Sequence, residues 1–121
     1  MNILFVGLGG ALGAVSRYAA GFIPLPLKSD FPFHTFLINL AGAVIIGFLV
    51  GMFEKDESVP AWVSPFAKVG FCGGFTTFST FSLETVTLFE NNKYLLGILY
   101  AAASCILCCA GVILGKRLAG R

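Results

Sequence analysis

Charge is what this chain has least of. Only 12% of its residues are Asp, Glu, Lys or Arg, and they leave a net charge of +2. A soluble domain carries about twice that charged fraction. There is no basic stripe, RNA-binding motif or zinc-finger spacing, so nucleic acid is excluded as a partner. Acids are missing from the first apolar run, and no carboxylates pair within any run. No nucleophile has a base beside it and no phosphate loop is present, which argues against an enzyme. The one histidine, His34, follows Pro32 at the edge of an apolar run and reads as a surface or capping residue rather than a proton carrier. Cysteine is sparse too: Cys72, Cys105, Cys108 and Cys109 all lie in apolar sequence. With no His or acid near, Cys105-x-x-Cys108-Cys109 cannot complete a tetrahedral metal site from one helix. These thiols read as small apolar packers, and no structural disulfide is expected. No positive segment precedes the first apolar stretch, which itself contains Arg17, so that stretch reads as a retained helix and not a cleaved signal. No internal repeat and no domain boundary is visible.

What is present is apolar sequence in lengths that cross a bilayer. Hydrophobic residues make up 57% of the chain, and its mean hydropathy is +0.90. Four spans are expected, at about 3–23, 33–53, 62–89 and 94–114, within a single transmembrane domain. Pro24, Pro26 and Pro32, with Lys28 and Asp30, make the first connection. Glu54-Lys-Asp-Glu-Ser58 and Pro60 end the second span, and Trp62 suits an interfacial position. Glu90-Asn-Asn-Lys93 turns the chain, and Lys116, Arg117 and Arg121 close it. The third span is longer than one crossing needs, which leaves slack for a break. Glycines four apart recur as Gly9/Gly13, Gly47/Gly51, Gly70/Gly74 and Gly111/Gly115. Each pair offers a face for close helix packing in lipid.

The third span is also dense in groups that lipid does not tolerate. Gly70-Phe-Cys-Gly-Gly-Phe-Thr-Thr-Phe-Ser-Thr-Phe-Ser-Leu-Glu84 holds Phe75, Phe78 and Phe81 at three-residue spacing. Hydroxyls and loosened backbone survive at membrane depth only within protein or beside water. Phe78 and Phe81 share one face of a helix, interleaved with Thr77, Ser79, Thr80 and Ser82. They could simply pack, but an aromatic ring has a positive edge, and ring edges beside hydroxyls can replace part of an anion's hydration shell. Asn39 is the lone amide of the second span. It could bridge two helices or offer two N–H donors to an anion. Arg17, about a turn from the end of its span, could anchor by snorkelling, form an ion pair or bind an anion directly. Tyr100, Ser104 and Cys108 follow one another at four-residue spacing, as a polar track or as interhelical bonding groups. Glu84 could carry a proton or cation, though its late position favours an interfacial or salt-bridged role.

On these residues the chain resembles the CrcB/Fluc family of small fluoride channels. Gly9-Gly10-x-x-Gly13-x-x-x-Arg17-Tyr18 is similar to that family's first-helix motif, and Asn39-x-x-Gly42 to its second-helix pore motif. Gly70-x-Cys-Gly-Gly-x-Thr-Thr-Phe-Ser-Thr-Phe-Ser-x-Glu84 is similar to its third-helix signature. The resemblance covers essentially the whole chain. It implies an all-α membrane protein whose third helix breaks at mid-membrane, assembled as an antiparallel, dual-topology homodimer with two fluoride pores in the cell membrane. It also implies a central, non-transported Na+ held by the backbone carbonyls of Gly73 and Thr76. Phe78 and Phe81 match the rings that face fluoride, and Asn39 the pore amide. Ser79 and Thr80 fall in the same hydroxyl-rich stretch. Ser104 matches a polar-track position, with Tyr100 one turn before it. Cys108 falls where that track can carry a hydroxyl, and Arg17 matches a first-helix arginine at the pore vestibule.

Two other classes compete. A four-helix, proton-coupled multidrug exporter needs a carboxylate in its first span, where this chain has Arg17 and no acid. A structural membrane subunit would show Leu, Val, Ala and Gly cores without the hydroxyl–phenylalanine interleaving. Orientation is weakly marked. Lys55, Lys68, Lys116, Arg117 and Arg121 fall on the side of the termini, against Lys28, Lys93 and Arg17 on the other. This bias is too small to force one direction of insertion.

Overall fold

The computed structural model describes residues 2–120, so Arg121 lies outside it. All regular structure among these residues is helical. Helix α1 spans Asn2–Ala20 and α2 spans Phe33–Phe53. A π-helical stretch, Pro65–Cys72, runs into one α-helical turn, α3, at Gly73–Phe75. Then come α4, Phe78–Glu90, and α5, Tyr94–Leu118. By length and composition α1, α2 and α5 can each cross a membrane.

Local chemistry explains where these helices stop. α1 ends at Ala20, short of residue 23, because Gly21 closes its last turn onto the Arg17 and Tyr18 carbonyls and Pro24 and Pro26 cannot prolong it. After α4, Asn92 takes the left-handed conformation at φ 60°. The Lys93 and Asn92 amides then donate to the carbonyls of Leu88 and Phe89, at 2.8 and 3.0 Å. That pairing is a Schellman cap, so the asparagine turns the chain where the sequence lacks glycine. α5 continues past residue 114 to Leu118. Lys116 and Arg117 sit in its last turn, where cations complement the helix dipole, and Lys55 Nζ donates to the Ala119 carbonyl at 2.6 Å. In the loop after α2, the Ser58 hydroxyl and amide both donate to the Asp56 carboxylate and hold its pKa below the ordinary value.

The span expected at 62–89 is not one regular helix. Its first part bonds in the wider π register, a rare geometry that is frequent at functional sites. This stretch lies hard against α1. A Cβ on Gly9 or Gly13 would collide with the carbonyls of Phe66 or Phe71, and one on Gly74 with the carbonyl of Gly10. The two backbones touch directly. On the other side of the bundle α2 packs on α5 in the same way, with Gly47 against the Val112 carbonyl and Gly115 against that of Val44. α4 leans mainly on α5, with a smaller contact to α2.

Little of the chain is a hydrophobic core in the aqueous sense. Tyr100 is the one large side chain fully buried among the described residues, while Ile3 is 88% exposed, Leu95 72% and Phe78 79%. Apolar surface on this scale suits lipid or a second protein surface and not water.

Candidate functional site

The site begins with two extended residues. Helical geometry stops at Phe75, Thr76 swings to ψ 159°, and Thr77 is extended at φ −147°, ψ 113° before α4 restarts. Such backbone must find hydrogen bonds outside the helix ladder. Asn39 of α2 supplies them. Its Nδ2 donates to the Thr77 carbonyl at 3.1 Å, and its Oδ1 accepts the Thr77 amide at 2.8 Å. Thr77 then caps α4, its Oγ1 accepting the Thr80 amide at 3.2 Å and pairing with Thr80 Oγ1 at 3.0 Å. A hydroxyl at this N-cap position is worth about 1 kcal/mol. Thr76 Oγ1 donates back to the Cys72 carbonyl at 2.8 Å. Gly42 clears the space, since a Cβ there would strike the Thr76 methyl. Asn39-x-x-Gly42 is therefore a clamp on the break together with the clearance that the break needs. The sequence left open a bridge between helices or two N–H donors to an anion; the amide does bridge to Thr77, which takes one N–H and leaves the other.

The clamp changes the carbonyls around it. In an unbroken helix the Thr77 amide would reach the Gly73 carbonyl and the Thr80 amide that of Thr76. Here the first is turned to Asn39 and the second to the Thr77 hydroxyl. Gly73 is exposed, and a Cβ on it would meet nothing within 4 Å. The Gly73 and Thr76 carbonyls are thus released from the ladder, and oxygen of this kind is the donor type that a hard cation takes.

Two grooves flank the break and share Thr77. The larger, about 500 Å³, is lined by Asn39, Gly73, Thr76, Phe78, Phe81 and Ser104 among others. The rings of Phe78 and Phe81 lie 5.5 Å apart, and Phe81 stands 5.1 Å from the ring of Tyr100. Ser104 Oγ is buried in this wall and, among the described residues, is the buried side-chain polar atom left without a hydrogen-bond partner. The second groove, about 400 Å³, brings Arg17 together with His34, Thr35 and Thr80. No hydrogen bond or ion pair holds the half-buried Arg17 guanidinium among the described residues. His34 Nε2 pairs with the Ile23 carbonyl at 2.7 Å, a tie between the loop and α2. Ser79 is exposed and lines neither groove; its hydroxyl lies 3.4 Å from Thr77 Oγ1.

Glu84 is the residue whose sequence reading changes most. It makes no salt bridge among the described residues. Its carboxylate accepts the Thr35 hydroxyl at 2.8 Å and the Tyr100 hydroxyl at 2.7 Å, and the Tyr100 ring in turn meets that of Phe81. Tyr100 therefore has its hydroxyl committed and does not line the larger groove beside Ser104. Thr35 was not singled out by sequence, although it stands one helical turn before Asn39, and that spacing marks a shared face. Lys68, counted only for orientation, also lines the larger groove.

Comparison with known proteins bears on this geometry. The family described as CrcB-like protein, Camphor Resistance (CrcB), matches residues 4–116. A protein named fluoride-specific ion channel FluC from Ruminiclostridium cellulolyticum is 42% identical over 120 residues, covering 98% of this chain and 92% of its own. One from Azobacteroides pseudotrichonymphae is 41% identical over 115 residues, 94% of this chain and 92% of its own. A third, from the archaeon Thermococcus onnurineus, is 40% identical over 116 residues, 96% of this chain and 94% of its own.

Proposed function

This chain belongs to the CrcB family, and we propose that it is a passive fluoride channel, a multi-pass membrane protein and not an enzyme. The observation that carries the reading is the unpartnered Ser104 hydroxyl, buried in one wall with the Phe78 and Phe81 rings and the Asn39 amide. A buried donor without an acceptor costs about 1–3 kcal/mol. An anion passing through would relieve that cost. Fluoride is small and tightly hydrated, so its path must supply several donors at once. Hydroxyl, amide and ring edge do so as neutral groups, which meets the need to bind and still release, and Lys68 lines the same groove. Arg17, unpaired in the neighbouring groove, raises the local anion concentration at the entrance. Thr77 lines both grooves, and Thr80 lines the second. No energy source is needed. An inside-negative potential favours exit of the anion by about 2.3 kcal/mol per 100 mV.

The reading includes an antiparallel homodimer with the third span broken at mid-membrane. The open face at Gly73 and the exposed Phe78 ring support a second copy there. The Gly73 and Thr76 carbonyls of each copy would hold Na+, which supplies a fixed positive charge at the centre of the assembly. The direct test is efflux from liposomes holding the purified protein. Fluoride should leave rapidly while chloride is retained; equal loss of both anions, or retention of both, would reject a fluoride channel.

Two further results are expected. Ser104→Ala should slow fluoride efflux about tenfold, and Cys108→Ala less, because a hydroxyl is a stronger donor than a thiol. The reverse order would misplace the polar track on α5. For orientation, single cysteines at Ser58 and Asn91, in a background free of the native cysteines, should both label in part when intact cells meet an impermeant reagent. Labelling at one site alone would mean a single orientation and no antiparallel pairing of like chains.

A further inference from the structure

All four cysteines of the chain line one groove. Cys72, Cys105, Cys108 and Cys109 share the larger groove with Asn39, Phe78, Phe81 and Ser104. Each is a free thiol. Cys72 comes from the π-helical stretch and is 2% exposed, while the other three come from α5, where Cys108 is half-buried and Cys105 and Cys109 are exposed. Among the described residues no three of these thiols converge on a point that could hold a metal by chelation. They are, however, soft ligands in a mostly apolar recess, and a soft metal prefers them to the oxygens of Thr76 and Ser104 that share it.

We propose that Cys108 is a binding site for soft, thiophilic metal species of the organomercurial class, and that occupation of this site obstructs the ion path. Cys108 follows Ser104 by four residues and so lies on the same face of α5, one turn along. It is half-buried in this chain and lines the groove of the proposed ion path, so a small reagent that enters the path meets it and a bound group stays within the wall. The reaction needs no second ligand and no oxidant. The thiol gives up its proton, a sulfur–mercury bond forms, and the water or chloride on the metal leaves, so a two-coordinate methylmercury is satisfied by one cysteine. The adduct replaces a thiol with an apolar metal–methyl group one turn from the Ser104 hydroxyl, in the groove that the Phe81 ring also lines. It removes open space and supplies nothing that can bond an anion. An excess of a small free thiol should exchange it off.

The obstruction rests on the fluoride-channel reading, so the test reads each separately. Liposomes holding the whole protein are assayed for fluoride efflux before and after methylmercury, and every variant is scored against its own untreated rate. The modified peptide is identified in parallel by mass. Native protein should lose at least tenfold of its efflux, carry an adduct at Cys108 and recover when excess dithiothreitol is added. Cys108→Ser and Cys108→Ala should each lose less than twofold. A native efflux that is unaffected, or an equal loss in both variants, would overturn the proposal. If no fluoride efflux is found before treatment, the channel reading fails and the obstruction with it, and the mass readout then decides the metal site alone: an adduct at Cys108 supports it and its absence overturns it.

Discussion

Asn39→Asp should all but abolish fluoride efflux. Aspartate is nearly the shape of asparagine, so it enters the same place between α2 and Thr77. It can still accept the Thr77 amide, but it cannot donate to the Thr77 carbonyl as Nδ2 does at 3.1 Å. A carboxylate oxygen then faces a carbonyl oxygen across the clamp. A fixed negative charge would also stand beside the proposed anion path. Two unit charges about 4 Å apart at an effective dielectric of about 20 interact by about 4 kcal/mol, close to a thousandfold in occupancy. Asn39→Ser should be milder. It abandons the clamp, at about 1–3 kcal/mol of local stability, yet leaves a hydroxyl donor and no charge. Efflux measured for the two variants in liposomes should therefore differ by at least tenfold, aspartate being the lower. Equal fluxes would take Asn39 out of the pore wall and leave it only as a clamp.

Phe81→Ile, and separately Phe78→Ile, should cut efflux at least tenfold while the protein still assembles. Isoleucine keeps most of the bulk and can fill the groove wall, so the fold has little reason to fail. What it lacks is a polarised edge. The Phe81 ring also stands 5.1 Å from Tyr100, whose hydroxyl holds Glu84. Losing an aromatic pair of this kind costs about 0.5–1.5 kcal/mol beyond the buried area, so some shift of the carboxylate should accompany Phe81→Ile. Phe78 is 79% exposed and makes its recorded ring contact with Phe81 alone, and its substitution should disturb the protein interior less. Efflux assays and gel filtration of both variants in detergent separate the effects. Normal elution with lost efflux is the expected outcome, and near-native efflux from both would make the rings packing residues.

Both predictions rest on residues that can be picked out by eye, yet on contacts that cannot. Asn39 is conspicuous as a lone amide in an apolar run, and Gly73-Gly74 and Thr76-Thr77 are conspicuous as loosened backbone. That the amide closes on Thr77, 38 residues away, depends on how α2 meets the break. Glu84 illustrates the same limit. Its place near the end of an apolar run suggests an interfacial charge, but Thr35 and Tyr100, drawn from two other helices, enclose it in hydroxyl donors. The π-helical stretch has no marker in composition. The same residues would make an ordinary helix, and the wider register appears where α1 presents Gly9 and Gly13 to the Phe66 and Phe71 carbonyls.

The sequence by itself determines that this is an all-helical membrane protein, because apolar runs of membrane length satisfy their backbone only within a helix. Its long third-helix signature also determines the family, since hydroxyls and phenylalanines interleave there in an order that packing alone does not require. Only the tertiary structure decides which donors are spent and which remain. Asn39 gives one N–H to Thr77, Tyr100 gives its hydroxyl to Glu84, and Ser104 gives its hydroxyl to nothing. Hydrogen-bond capacity belongs to the residue type, but its satisfaction belongs to the neighbours, and in this chain the neighbours come from other helices.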